Sequence, residues 1–228
     1  MGSRATVVLF DIDGTLITCG GAGRVALEAA FGELCGRRDV CDFSFGGGTD
    51  RAIARRGLSN AGVEPTEDAI DALLACYLRH LPPALARSSG YAVLPGAHAI
   101  LDSIRGIDGL AIGLGTGNVR EGARAKLRPG ELDGYFAFGG FGCDHEERPA
   151  LIEAGASRGA AHLGLERAAC RVVVVGDTPK DVSAAHAIGA ECVAVATGGH
   201  DREELRGAGA DAIVDDLRAP ELRDLLLA

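Results

Sequence analysis

Residues 7–10, VVLF, form an unbroken apolar run that ends in two acids one residue apart, Asp11 and Asp13, followed by a glycine. The arrangement returns in LAIGLGTGN (110–118), RVVVVGDTPKD (171–181) and ECVAVATGG (191–199), each a run of mainly small or β-branched residues closed by Gly, Thr or Asp. Apolar runs that do not alternate, separated by Ala-rich helical segments, predict parallel strands buried on both faces. The expected fold class is therefore α/β, with a Rossmann-like parallel sheet. Such sheets bind ligands beyond the carboxyl ends of their strands, so Asp11, Asp13, Thr116, Asp177 and Asp181 are expected to meet at one site.

AIVDD (212–216) and YFAFGGF (135–141) are weaker strand candidates. Crossover helices are predicted in REGARAKL (120–127), PALIEAGASRGAAHLG (149–164) and KDVSAAHAIG (180–189), the last closed by Gly189. From 18 to 92 the pattern is helical throughout, with no strand run. Thr49 or Asp50 is expected to cap one of its helices, and Thr66, followed by acids, another. This stretch reads as a helical cap, residues 18–92, inserted into a core of residues 1–17 and 93–228. Its hinges are expected near Thr18–Gly23 and Gly90–Pro95, with the cap covering the strand ends.

A chain of 228 residues that is 47% hydrophobic carries enough apolar material for a sizeable core. The net charge of -9, with no basic stretch free of acids, argues against nucleic acid as a partner. Seven scattered cysteines lack metal-ligand or disulfide spacing and read as reduced thiols of a cytoplasmic protein. No apolar run is long enough to span a bilayer, and no membrane partner is expected. MGSRAT fits a loose myristoylation pattern, a chance match if Thr6 begins a buried strand.

Two carboxylates leaving a buried strand together repel one another in a poorly polarisable setting. A hard divalent cation resolves the conflict, since Mg²⁺ takes one or two carboxylates and also screens a phosphate. DIDGTL (11–16), GLGTGN (113–118) and GDTPKD (176–181), in this order, resemble the motifs of the haloacid dehalogenase superfamily, and the likeness spans nearly the whole chain. The resemblance implies an Mg²⁺-dependent phosphomonoester hydrolase. Asp11 would be the nucleophile that forms an aspartyl-phosphate, and Asp13 the general acid and then base. Mg²⁺ would be held by Asp11, the Asp13 carbonyl and Asp177, with Asp181 direct or through water. Thr116 and the backbone N–H groups of Gly117 and Asn118 would hold phosphate oxygens.

The family's usual Lys-Pro pair is replaced by Arg148-Pro149, while Lys126 lies on the helix after Thr116; either is a candidate for the basic residue. Lys180 reads as a surface residue, and His145 as part of a solvated loop. FGGGTDRAI (45–53) resembles the cap loop of phosphoglycolate phosphatase-like members and nominates Thr49, Asp50 and Arg51 for substrate contact. This chain has Gly48 where members often carry a basic residue. The expected substrate is a small phosphorylated metabolite, and the protein a monomer or homodimer. The alternatives are a phosphosugar mutase of the β-phosphoglucomutase kind and a catalytically silent binding module. Dehalogenation and phosphonate cleavage are disfavoured, the first because it needs neither metal nor an acid at position 13, the second for want of a cap lysine. A signalling receiver is disfavoured by the DxDGT spacing and the helical insertion.

Overall fold

The computed structural model describes residues 5–228, so the first four residues of MGSRAT lie outside it. In chain order its elements are β1 (Thr6–Phe10), β2 (Ile17–Cys19), α1 (Ala22–Cys35), α2 (Asp50–Asn60), α3 (Glu67–Arg87), β3 (Tyr91–Val93), α4 (Ala97–Ile104), β4 (Leu110–Thr116), α5 (Arg120–Leu127), β5 (Gly139–Phe141), α6 (Arg148–His162), β6 (Arg171–Gly176), α7 (Pro179–Ala187), β7 (Glu191–Val195), α8 (Arg202–Gly207), β8 (Ala212–Val214) and α9 (Leu222–Leu227). Six strands form a parallel sheet in the order β5-β4-β1-β6-β7-β8, which puts β1 at the centre between β4 and β6.

Every residue of β1 is buried because the sheet is covered on both sides. Val7 and Leu9 point to one face, where they join Val172 and Val174 under Leu151 and Ile152 of α6 and Val182 of α7. Val8 and Phe10 point to the other and share a core with Leu114, Val173, Val175 and helices α1 to α5 and α9. Each such side chain contributes about 1.5–3 kcal/mol by leaving water. The doubly covered sheet is thus why these runs are continuously apolar.

Between β2 and β3 the chain makes α1, α2 and α3. Thr49 caps α2 by accepting the Ala52 N–H, and Thr66 caps α3 by accepting the Ala69 N–H, with Glu67 and Asp68 in the first turn. The inner faces of α1 and α3 meet through Ala26, Ala30 and Phe31 against Leu73, Cys76 and Tyr77, all buried. All seven cysteines are unpaired, and among the described residues no helix is long and apolar enough to cross a membrane.

Three local expectations need correction. Strands border the helical stretch after all: β2 and β3 pair antiparallel, with Ile17 opposite Val93 and Cys19 opposite Tyr91. Three-residue strands are too short to display an alternation, and only the distant partner defines them. The run 135–141 is mostly not a strand, since residues 133–135 form a 3-10 turn and only Gly139–Phe141 pairs with β4. At 212–216 the strand stops at Val214, before the two acids.

The crossing of β5 and α6 tolerates no side chain at Gly140. A Cβ there would stand 1.8 Å from the Leu151 carbonyl oxygen and 2.9 Å from the Gly155 nitrogen, both backbone atoms. Gly140→Ala is therefore expected to cost about 3 kcal/mol or more. Urea unfolding checks it, a midpoint equal to that of the wild type being the contrary result.

Candidate active site

The register of the sheet builds the site. Phe10 is level with Leu114 of β4 and Val175 of β6, so Asp11, Thr116 and Asp177 leave three adjacent strands at nearly the same height. The chain then turns sharply through Gly14 (φ 86), where a Cβ would lie 2.3 Å from an Asp177 carboxylate oxygen. Only glycine accommodates both the left-handed backbone and this approach. Thr197 donates to the Gly14 carbonyl at 2.6 Å and ties the turn to the chain beyond β7.

Asp11, Asp177 and Asp181 each bring a carboxylate oxygen within 4.8 Å of the others, and all three residues are buried. Burial, then the charges of Asp11 and Asp181, push the Asp177 carboxyl up to about 8. Burial likewise raises Asp11 to about 6, Arg148 opposing and Asp181 and Asp13 adding to the rise. The Arg148 guanidinium sits between two of these acids, 3.3 Å from Asp11 and donating from Nε to Asp181 at 2.8 Å. The second Asp181 oxygen accepts from the Thr178 N–H at 3.0 Å and hydroxyl at 2.7 Å, while Thr15 donates to Asp177 at 3.2 Å. One guanidinium leaves three ionised acids undercompensated. An all-oxygen donor set with surplus negative charge suits a hard divalent cation such as Mg²⁺.

Asp13 lies on the other side. Burial pushes its carboxyl up, but the Lys126 ammonium, 2.6 Å away, together with hydrogen bonds from Asn118 and Cys19, holds it below the ordinary range. Asn118 donates from Nδ2 to Asp13 and to the Thr116 hydroxyl, both at 2.9 Å, which fixes the amide orientation. Its Oδ1 is buried and meets no donor from the protein. The two candidate cations therefore occupy different places, Arg148 at Asp11 and Asp181, Lys126 at Asp13.

These groups open onto a cavity of about 360 Å³, which Asp11, Asp13, Thr116, Gly117, Asn118, Lys126, Arg148 and Asp177 line together, with Asp181 packed behind. Asp50 lines it as well. Its N–H donates to Gly117 and its carboxylate accepts the Val119 N–H, each at 2.8 Å. Thr49 is drawn away from the cavity. It is buried, caps α2 and donates to the Glu146 carbonyl at 2.9 Å. Arg51, nominated for substrate contact, is instead paired with Asp71 at 2.6 Å and with Glu67, because α3 presents its acidic first turn there. Lys180 is exposed and reaches across to the Gly46 carbonyl at 3.1 Å.

Two lining residues, Arg24 and Tyr77, had no signal in the sequence. Each belongs to an amphipathic helix, where an arginine reads as surface and a tyrosine as core. Arg24 lies over the Phe45 ring at 4.0 Å and donates to the carbonyls of Cys41 and Phe43.

A family model described as HAD-hydrolase-like matches residues 149–220. Over 226 residues the chain is 32% identical to a phosphoglycolate phosphatase of Rhodospirillum rubrum, covering 92% of this chain and 86% of the relative. Among solved structures it resembles a predicted phosphoglycolate phosphatase from Haemophilus somnus, at 20% identity and TM-score 0.68, over 99% of this chain and 98% of that one. It also resembles CbbY from Rhodobacter sphaeroides in complex with phosphate, at 19% identity and TM-score 0.70, over 95% and 96% of the two chains. The structural likeness bears on the fold, and the identity to the R. rubrum enzyme, sustained across nearly the whole sequence, carries the assignment: the chain belongs to the haloacid dehalogenase-like hydrolases and is a phosphatase similar to the phosphoglycolate phosphatases.

Proposed function

We propose that the protein hydrolyses a small phosphomonoester with Mg²⁺, through a phosphoryl group carried on Asp11. The observation that supports this best is that Asp11 and Asp13 face one cavity but are held by different partners, Arg148 for the first and Lys126 for the second. Two carboxylates with separate environments can take separate roles. Asp11 attacks phosphorus and displaces the alcohol. Asp13, ionised beside Lys126 in the free protein, gains a proton from solvent once the substrate's negative charge offsets the ammonium, passes it to the departing oxygen, and then takes one back from the water that cleaves the aspartyl-phosphate. Thr116 and the N–H groups of Gly117 and Asn118 hold the phosphoryl oxygens, while Lys126 and Arg148 supply positive charge on its two sides. Asp11, Asp177 and the Asp13 carbonyl would hold Mg²⁺, with Asp181 behind them, since both its oxygens are already engaged. Bound there, Mg²⁺ polarises the phosphoryl group and neutralises the crowded acids. Residues 18–92 act as a cap over a core of residues 1–17 and 93–228.

Phosphate release from p-nitrophenyl phosphate and a set of metabolite phosphates tests the reading. The wild type is expected to turn over with Mg²⁺ and to stop with EDTA. Asp11→Asn is expected to lose at least about a thousandfold, and Asp13→Asn about 10²–10⁴-fold. Isomerisation of a phosphosugar without release of phosphate would favour a mutase, which uses the same two acids.

A second prediction follows from the raised carboxyls. Asp11 near 6 and Asp177 near 8 stand above their usual 3.8, so without metal the folded state binds more protons than the unfolded chain between about pH 4 and 8. These groups therefore make the metal-free protein less stable as pH rises through that window. Mg²⁺ requires them ionised, so the Tm increase it gives is expected to be larger at pH 8 than at pH 5.5. At a concentration a hundred times Kd the gain is about 2.7 kcal/mol. Scanning calorimetry at the two pH values checks it, and an equal Mg²⁺ effect at both is the contrary outcome.

A further inference from the structure

Opposite the strand ends, the cavity wall comes from the helices, and Tyr77 is its most exacting element. The Tyr77 ring is buried in the α1–α3 core, while the residue also borders the cavity. No described residue hydrogen-bonds its hydroxyl. Gly23, on the first turns of α1, leaves room beside it: a Cβ there would stand 3.7 Å from Lys126 Nζ and 3.9 Å from the Tyr77 hydroxyl. Because Lys126 Nζ is 2.6 Å from Asp13, this gap adjoins the acid that protonates the leaving oxygen in the proposed reaction. The carbon skeleton of the departing alcohol belongs in it.

The polar groups around that gap define what fits. Tyr77 offers a hydroxyl and Asp50 a carboxylate whose charge Tyr77 feels. Asn118 also lines the cavity, its Nδ2 committed to Asp13 and to the Thr116 hydroxyl. Lys126 is paired with Asp13, and Arg24 is engaged with two carbonyls and the Phe45 ring. Acceptors and one hydroxyl, with no uncommitted cation, match neutral hydroxyl groups better than a second anion. Buried polar groups that only a ligand can pair discriminate strongly against analogues lacking the matching group.

We propose that the alcohol released carries a free hydroxyl next to its ester carbon, as in polyol and sugar phosphates, and that Tyr77 is the residue that selects for it. This rests on the hydrolase reading above and specifies its substrate class.

The test compares kcat/KM for glycerol 3-phosphate, n-propyl phosphate, methyl phosphate and phosphoglycolate with Mg²⁺, in the wild type, Tyr77→Phe and Gly23→Ala. The wild type is expected to prefer glycerol 3-phosphate over propyl phosphate by at least about tenfold, and Tyr77→Phe to reduce that ratio by about tenfold. The Phe ring keeps the packing, so a structural role would lower both esters together and leave the ratio unchanged, which overturns the proposal. Gly23→Ala meets nothing closer than ordinary van der Waals contact and is expected to keep its Tm while losing activity on glycerol 3-phosphate relative to methyl phosphate. An unchanged ratio there counts against the gap as the leaving-group site. Phosphoglycolate as the preferred ester would overturn the proposal and point to an anion anchor. A wild type that releases phosphate from no ester, p-nitrophenyl phosphate included, would remove the hydrolase reading itself. Hydrolysis without hydroxyl preference removes only this inference.

Discussion

The mutual repulsion of carboxylates at the centre of the sheet is the constraint to which the rest of the molecule answers. Carboxylate oxygens of Asp11, Asp177 and Asp181 lie within 4.8 Å of one another on three buried residues, and Asp13 stands two residues beyond Asp11 along the chain. A protein of marginal stability tolerates this only if each acid has a partner. Arg148 divides itself between Asp11 and Asp181, Thr15 and Thr178 donate hydroxyls, and Lys126 draws off Asp13. What remains unbalanced is negative charge, which suits a divalent cation. The surplus charge is thus the binding energy of the site held in another form.

The second organising feature is a division of labour between sheet and helices. Groups assigned to the phosphoryl chemistry come from the carboxyl ends of β1, β4 and β6 and from the first residue of α6 and the last turn of α5. Rigid neighbouring strands fix their spacing to within the register of the ladder. The opposite wall of the cavity is lined by Gly23, Arg24 and Leu27 of α1, Asp50 and Ile53 of α2, and Leu74 and Tyr77 of α3. Differences among related proteins in the compound accepted can then arise in the helices without disturbing the acids.

Much of this was legible in the sequence because it depends on local rules. The apolar runs ending in Asp or Thr gave the central strands, and the cap residues Thr49 and Thr66 marked helix starts, since each satisfies an N–H three residues away. DIDGTL, GLGTGN and GDTPKD could be read as one site because parallel strands deliver their ends to one edge. What was hidden depended on contacts between distant segments. Arg51, nominated for substrate contact, is engaged by Glu67 and Asp71 of α3. Lys126 and Arg148 looked like rivals for one role, whereas their helices approach the acids from opposite sides. β2 and β3 exist only as each other's partner. Tyr77 is indistinguishable by pattern from any other core aromatic, since only the fold reveals that its hydroxyl end meets the cavity.

Asp50 carries a consequence of a mechanical kind. It begins α2, yet its N–H and carboxylate are bonded to Gly117 and Val119, on either side of Asn118. The helix is in effect a lever whose short arm is the loop assigned to the phosphoryl oxygens. Any swing of the helices that admits substrate must either break both bonds or drag that loop along. The position of α2 and the geometry of that loop are therefore a single variable, set by two hydrogen bonds.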